Sequence, residues 1–380
     1  MEALHARTGG ELTPNPAVSL ARLRRFASKE KLEQPKTYRT ALTRVLAVLQ
    51  QETGFIQLQD LPTIIIPDLH SRRSMLIDIL CHRLEHGPYA GRQLFDLLRA
   101  GLINIVCVGD IVHSEERSDW VINEDGDWTP ELLRKEMIRS LGAATLVMYL
   151  KMQYSAHFHC LRGNHDDITG ELAKDFRKFV GLKFEHGDLV FEHGRPVVTA
   201  NEGESILTRN WILKRGKGWG SAFLDLWGQF DRALPIFAQG SNFVVSHYLP
   251  GRALSKEEIE DKNRSRDATM QLTSLDEKSV QQEAMDQTLE NLGLQESVLY
   301  WFHGHRNVSS ALNEGKYAIG SGGRTVRLNN PKNHVFAYVP GPLDRRLFDP
   351  TIDVYIKKPA ESAFHTSLHS EEKEVSFSSE

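Results

Sequence analysis

Short apolar runs recur along the chain, and each stops at a polar or turn-forming group. Thr63-Ile64-Ile65-Ile66 stops at Pro67, Ile103 to Val108 at Gly109-Asp110, and Ala156 to Leu161 at Arg162-Gly163. Further on, Asn242 to Ser246 stops at His247, and Val298 to Phe302 at His303-Gly304. Runs of this length, rich in β-branched and aromatic residues, predict strands buried on both faces. Between the first three, helical periodicity predicts helices over about 74–85, 91–100 and 130–151. The alternation of strand and helix implies βαβ units. In open α/β sheets, ligands bind outside the carboxyl ends of the strands, where these polar groups fall.

The flanking segments read differently. Residues 1–16 look unstructured, and Val18, Leu20, Leu23 and Phe26 then recur at helical spacing beside Arg22, Arg24 and Arg25. Leu42, Val45, Leu46 and Leu49 form one stripe of a second helix, so residues 17–59 are expected to pack on the core of a domain spanning 60–345. Residues 115–130 read as a surface loop, 182–192 as a hairpin around Gly187-Asp188, and Arg209 to Gly220 as a basic loop. That loop lacks the terminal Gly-Lys-Ser/Thr of a P-loop. A helix is expected over 222–233, and the last strands over 316–319 and 334–339. Residues 255–297 are charged and Gln-rich with few large apolar residues, which predicts an exposed helical insertion, partly mobile. The Ser- and Glu-rich residues 360–380 read as a disordered tail.

Composition narrows the class. A chain of 380 residues with a net charge of −4 has no broad basic field for nucleic acid or an anionic membrane. Cys81, Cys107 and Cys160 are widely separated, which argues against a disulfide framework or thiolate zinc site and favours a reducing cytoplasm. No apolar run approaches the length of a membrane span or a signal-peptide core.

The chemistry lies at the ends of the strands. Asp68-Leu69-His70, Gly109-Asp110, Asn164-His165-Asp166, His247 and His305 combine carboxylate, imidazole and amide donors of the kind that suit Mn, Fe or Zn. Each has an ordinary structural reading: Asp68 and Asp110 as helix caps, Asn164 and Asp166 as turn formers, a strand-ending histidine as a hydrogen-bonded core residue. Together they place a possible metal ligand at the end of each of five runs.

In that order, Asp68-Leu69-His70, Gly109-Asp110, Gly163-Asn164-His165-Asp166, His247 and Gly304-His305 resemble the pattern of the calcineurin-like metallophosphoesterases over roughly residues 60–340. Trp227, Phe230, Leu234-Pro235, Phe243 and His247 look like the serine/threonine phosphoprotein phosphatase branch. The resemblance implies an α/β fold, an α-β-β-α sandwich of two mixed sheets flanked by helices. It implies two metal ions, one held by Asp68, His70 and Asp110, the other by Asp110, Asn164, His247 and His305. His193, in Phe191-Glu192-His193-Gly194, matches the same motif of other branches and stands as the alternative to His247. The sequence departs from the phosphatase branch where Gly109-Asp110-Ile111-Val112 runs into His113-Ser114-Glu115, so the Asp that would orient the catalytic histidine and an Arg that would grip phosphate are missing. Asn307 stands where many members have a second histidine.

The implied activity is hydrolysis of a phosphorylated substrate, a phosphomonoester or phosphoprotein, by a metal-activated water. His165 is the expected general acid, oriented by Asp166 or His113, and Arg72, Arg162 and Arg306 are candidate phosphate contacts. Two alternatives stand beside it. One is a nuclease or dinucleoside-polyphosphate hydrolase using Arg209 to Trp219 for basic and stacking contacts. The other is a binding module with a vestigial metal site and a protein partner engaged through residues 255–297 or the acidic tail.

Overall fold

The computed structural model describes residues 19–28, 31–85, 87–114, 130–169, 204–214, 219–275, 277–308, 325–329 and 335–341, together with short strands between 179 and 202, at 318–319 and at 355–356. The two termini, the 115–129 loop, the tip of the 182–192 hairpin and His193 lie outside these residues.

The chain opens with helices α1 (Leu20–Ala27) and α2 (Pro35–Leu49). Strands β1 (Phe55–Gln57) and β2 (Thr63–Ile66), helices α3 (Arg73–Cys81) and α4 (Leu94–Arg99), strand β3 (Asn104–Cys107), helix α5 (Pro130–Gln153) and strand β4 (Phe158–Cys160) follow. Six short strands come next: β5 (Phe179–Leu182), β6 (Phe184–Glu185), β7 (Asp188–Leu189), β8 (Phe191–Glu192), β9 (Arg195–Pro196) and β10 (Val198–Glu202). The second half holds α6 (Glu204–Lys214), α7 (Trp219–Ala233), β11 (Phe237–Gln239), β12 (Phe243–Ser246), α8 (Lys256–Glu260), α9 (Arg266–Thr273) and α10 (Gln282–Asn291). It closes with β13 (Tyr300–His303), β14 (Ala318–Ile319), β15 (Thr325–Arg327), β16 (Ala337–Val339) and β17 (Tyr355–Ile356).

Two mixed sheets form, ordered β17-β16-β2-β3-β4 and β1-β11-β12-β13-β15-β14. Within the first, β2, β3 and β4 run parallel while β16 is antiparallel to β2, and in the second β12, β13 and β15 run parallel. The pleat sends alternate residues to opposite faces. Ile64, Ile66, Ile105, Cys107, Phe158 and Cys160 enter a core shared with α1 to α5 and α7. Their neighbours Ile65, Val106 and Leu161 meet Phe243, Val245 and Phe302 between the sheets. This double burial explains why the runs carry no polar alternation.

A third core covers the outer face of the second sheet and changes the reading of residues 255–297. Ile259, Ala268, Leu272, Met285 and Leu289 are buried there against Phe237, Val244 and Trp301. The segment is helical, but as a packed layer rather than an exposed appendage. Its apolar residues are few but sit four apart, Ala268 with Leu272 and Met285 with Leu289, so each short helix offers one stripe. Parallel β12 and β13 require a crossover connection, and the helices supply it.

The basic stretch at Arg209 is also not a loop at its start, since α6 runs to Lys214. The hairpin expected over 182–192 pairs Phe184 with Leu189 and Glu185 with Asp188. Strands β1, β11 and β15, three residues each, went unread because they are too short for a period to show. Among the described residues no helix is long and apolar enough to cross a membrane.

Candidate metal centre

The loops leaving β2, β3 and β4, together with the ends of β12 and β13, converge on Asp110. Its Oδ2 lies 3.6 Å from His70 Nε2 and 3.4 Å from His247 Nε2. Two clusters of donor atoms are close enough to hold a cation each: Asp68 with His70 and Asp110, and Asp110 with His247 and His305. Asp110 belongs to both. Asp68, Asp110, Asn164 and His247 are each at most 1 % exposed.

Imidazole orientation follows from backbone carbonyls. His70 Nδ1 lies 2.9 Å from the His113 carbonyl, and His247 Nδ1 lies 3.1 Å from that of Val108. A carbonyl only accepts, so in both rings Nδ1 carries the proton and Nε2 presents its lone pair toward Asp110. Burial pushes His247 down to about 3 and His305 well below the ordinary range, which keeps both rings neutral and able to ligate.

A cation fits this donor set for a specific reason. His247 Nε2 and Asn164 Oδ1 face each other at 2.9 Å, and both are lone-pair donors once Nδ1 holds the proton. His305 Nδ1 lies 2.7 Å from the same amide oxygen. The Asp110 to imidazole distances exceed hydrogen-bond length, yet they match two ligands of one ion bound at about 2.0–2.2 Å from each.

Close packing of the loops depends on two glycines. A Cβ at Gly163 would collide with Asp110 N and Oδ1, and one at Gly304 with Asp68 Oδ1. Backbone strain is concentrated here as well: His70, Ser71, Asp110, His113 and His305 all have positive φ, between 40° and 65°. Non-glycine residues persist in that region only where their surroundings over-determine them.

The other expected site residues are placed as follows. His165 donates its backbone N–H to Asp110 Oδ1 at 2.8 Å and sets its ring edge-on to His70, centroids 5.0 Å apart. The two oxygens of Asp166 accept from Ile111 N at 2.7 Å and Gly163 N at 2.9 Å. It thereby ties the turn to the loop that follows β3. Nor does Asp68 cap α3, whose N-cap is Arg72; Asp68 Oδ2 accepts from His305 N at 2.8 Å.

Arg162 points away from the centre into a buried pair with Asp231, its Nε 2.8 Å from Oδ1 and its Nη2 on Oδ2. Arg72 donates to the carbonyls of Asp68 at 2.5 Å and Leu69 at 3.3 Å, so it braces the first loop. Arg306 is partly exposed beside the ligand candidate His305 and bonds Tyr248. His303, at the end of β13, is buried with its Nδ1 3.2 Å from the Gly304 carbonyl. Asp231 and the carbonyls of His113 and Val108 escaped the sequence reading, since no local signal marks a partner dozens of residues away.

No family model matches the sequence, and no curated protein matches it. Among solved structures, the chain is similar to a protein serine/threonine phosphatase from Saccharomyces cerevisiae with similarity to human phosphatase PP5. The identity is 14 %, the TM-score is 0.54, and the match covers 90 % of this chain and 95 % of the other. It is also similar, at a TM-score of 0.37 and 10 % identity, to a cold-active protein-tyrosine phosphatase of a Shewanella species, over 77 % of this chain and 79 % of that one. The yeast match shows the fold, a sandwich of two mixed sheets between helical layers.

Proposed function

We propose that this chain is a metal-dependent phosphoester hydrolase acting on phosphomonoesters, phosphoproteins among them, through two ions of manganese, iron or zinc. The observation that carries the reading is the double membership of buried Asp110 in two donor clusters, since neighbouring cations need a shared anionic ligand. Asp68, His70 and Asp110 would hold one ion, and Asp110, Asn164, His247 and His305 the other. When bound, the ions supply Lewis-acid charge to the phosphoryl oxygens and a water acidified enough to serve as nucleophile near neutral pH.

The remaining work falls to the chain. His165, 9 % exposed beside Asp68, His70, Asp110, Asn164 and His247, each at 2 % or less, is the general acid that delivers a proton to the leaving oxygen. Its backbone bond to Asp110 Oδ1 and its edge contact with His70 hold it at the rim of the centre. Arg306 is the phosphate contact of this reading. Arg162 is withdrawn from that role by its pairing with Asp231, and Arg72 serves the loop.

The test combines metal analysis of the purified protein with hydrolysis of an aryl phosphate in Mn²⁺. Wild type is expected to bind close to two ions per chain and to turn over, while Asp110→Asn keeps the circular dichroism of the fold and loses turnover. Full activity in Asp110→Asn, or less than one ion per wild-type chain, would overturn the reading.

A further inference from the structure

Helix α5 carries a buried polar group that the proposed chemistry leaves unused. Glu136 is 1 % exposed, and its Oε1 accepts from Ser140 Oγ at 2.6 Å and from Ser114 N at 3.1 Å. With its single proton committed to Glu136, Ser140 Oγ is an acceptor toward everything else. It accepts from His113 N at 3.0 Å and, at 2.7 Å, from Ser71 Oγ. One carboxylate and one hydroxyl thus grip both metal loops, the first at Ser71 and the second at His113 and Ser114.

These are the places where the backbone is least at ease. His70, Ser71 and His113 have φ of 40°, 63° and 65°. Backbone bonds join the loops directly, His70 N to Asp110 O at 2.6 Å and Ser71 N to Ile111 O at 3.0 Å. Those bonds fix the loops to each other but not to the helices. The α5 pair does that, while Thr208 of α6 meets His113 Nε2 at 3.0 Å and restrains its ring. The His113 carbonyl, held between these contacts, receives His70 Nδ1 and so selects which nitrogen of His70 faces Asp110.

We infer that Glu136 and Ser140 are positioning residues that, through the His113 backbone, set the tautomer and aim of His70 in the proposed metal centre. The inference rests on the hydrolase reading for the identity of the centre. His247 provides an internal control, because its Nδ1 is held by Val108 at the end of β3, independently of α5.

The experiment uses full-length, histidine-¹⁵N-labelled protein without metal, in which long-range ¹H–¹⁵N spectra report the tautomer of each ring, with His70→Gln and His247→Gln supplying the assignments. Zinc affinity is then measured by calorimetry. In wild type, both His70 and His247 are expected to carry the proton on Nδ1. Ser140→Ala and Glu136→Leu should disturb His70, leave His247 unchanged and weaken zinc binding about 10- to 100-fold, the usual effect of losing an outer-shell partner. Glu136→Gln, which keeps an acceptor oxygen, should restore the wild-type spectrum and affinity. An unchanged His70 in both disruptive variants overturns the inference, as does a parallel disturbance of His70 and His247, which marks general loosening. Wild-type protein that takes up no zinc overturns the hydrolase reading instead, and the metal-free spectra still decide how His70 is held.

Discussion

His70 and His247 approach the same Asp110 oxygen at similar distances, 3.6 Å and 3.4 Å, yet the two halves of the centre are built differently. The His247 half is anchored by the sheets themselves: the histidine follows β12 directly, and its Nδ1 meets a carbonyl just beyond β3. On the other side, His70 sits on a loop with left-handed backbone and is aimed by His113, which depends on α5 and α6. His247 is held by strands packed on both faces, whereas His70 requires several elements to agree. A site of this kind should fail asymmetrically, with damage to the helices reaching His70 first.

The comparison breaks most completely at the residue common to both halves. Asp110→Asn is expected to reduce Mn²⁺-dependent aryl-phosphate hydrolysis to background, with the fold retained by circular dichroism. Next comes the Arg162–Asp231 pair, which ties the chain leaving β4 to the end of α7. Arg162→Met strands a buried carboxylate and should cost about 3–5 kcal/mol in urea unfolding, whereas the double variant with Asp231→Leu should recover much of it.

A smaller effect sharpens the contrast between the two helical layers. If α10 is a true core layer on the second sheet, Leu289→Ala, at a side chain 3 % exposed, should destabilise by about 2–4 kcal/mol. A loss under about 0.5 kcal/mol, the usual size at a surface position, would return the 255–297 segment to the status of an appendage.

The last expected effect concerns pH and lies in β4, the edge strand of the first sheet. Burial, followed by the nearby Lys151 charge, brings His159 down to about 3. Its Nδ1 accepts from Lys151 Nζ at 3.2 Å, which holds the ring neutral. Because the folded pKa lies below the unfolded value of about 6.5, this contribution is full above that pH and is lost as pH falls from there toward 3. Urea midpoints should therefore decline below neutrality, and His159→Gln should flatten the decline by up to one proton's worth of slope.

Much of the fold was legible from local pattern. Thr63–Ile66 is a strand with the expected bounds, and α5 and α7 lie close to their predicted ranges. Such elements advertise themselves because burial on two faces, or along a helical stripe, imposes a repeating demand on neighbouring residues. Where the demand is spread thinly, as over α8 to α10, the same rule holds but the signal is weak: Ile259, Leu272 and Leu289 carry a whole layer among charged neighbours.

For the candidate site, local pattern supplied the donor types: Asp68, His70, Asp110, Asn164, His247 and His305 each follow a strand, and parallel strands deliver their ends to one edge. The contacts of these groups and their neighbours came from the fold. It turned Asp166 to the backbone of Gly163 and Ile111, sent Arg162 to Asp231, and selected the imidazole nitrogens through the carbonyls of His113 and Val108. The reason is physical: a ligand type is a property of one residue, whereas a proton's position and a charge's partner depend on acceptors that only folding brings within about 3 Å.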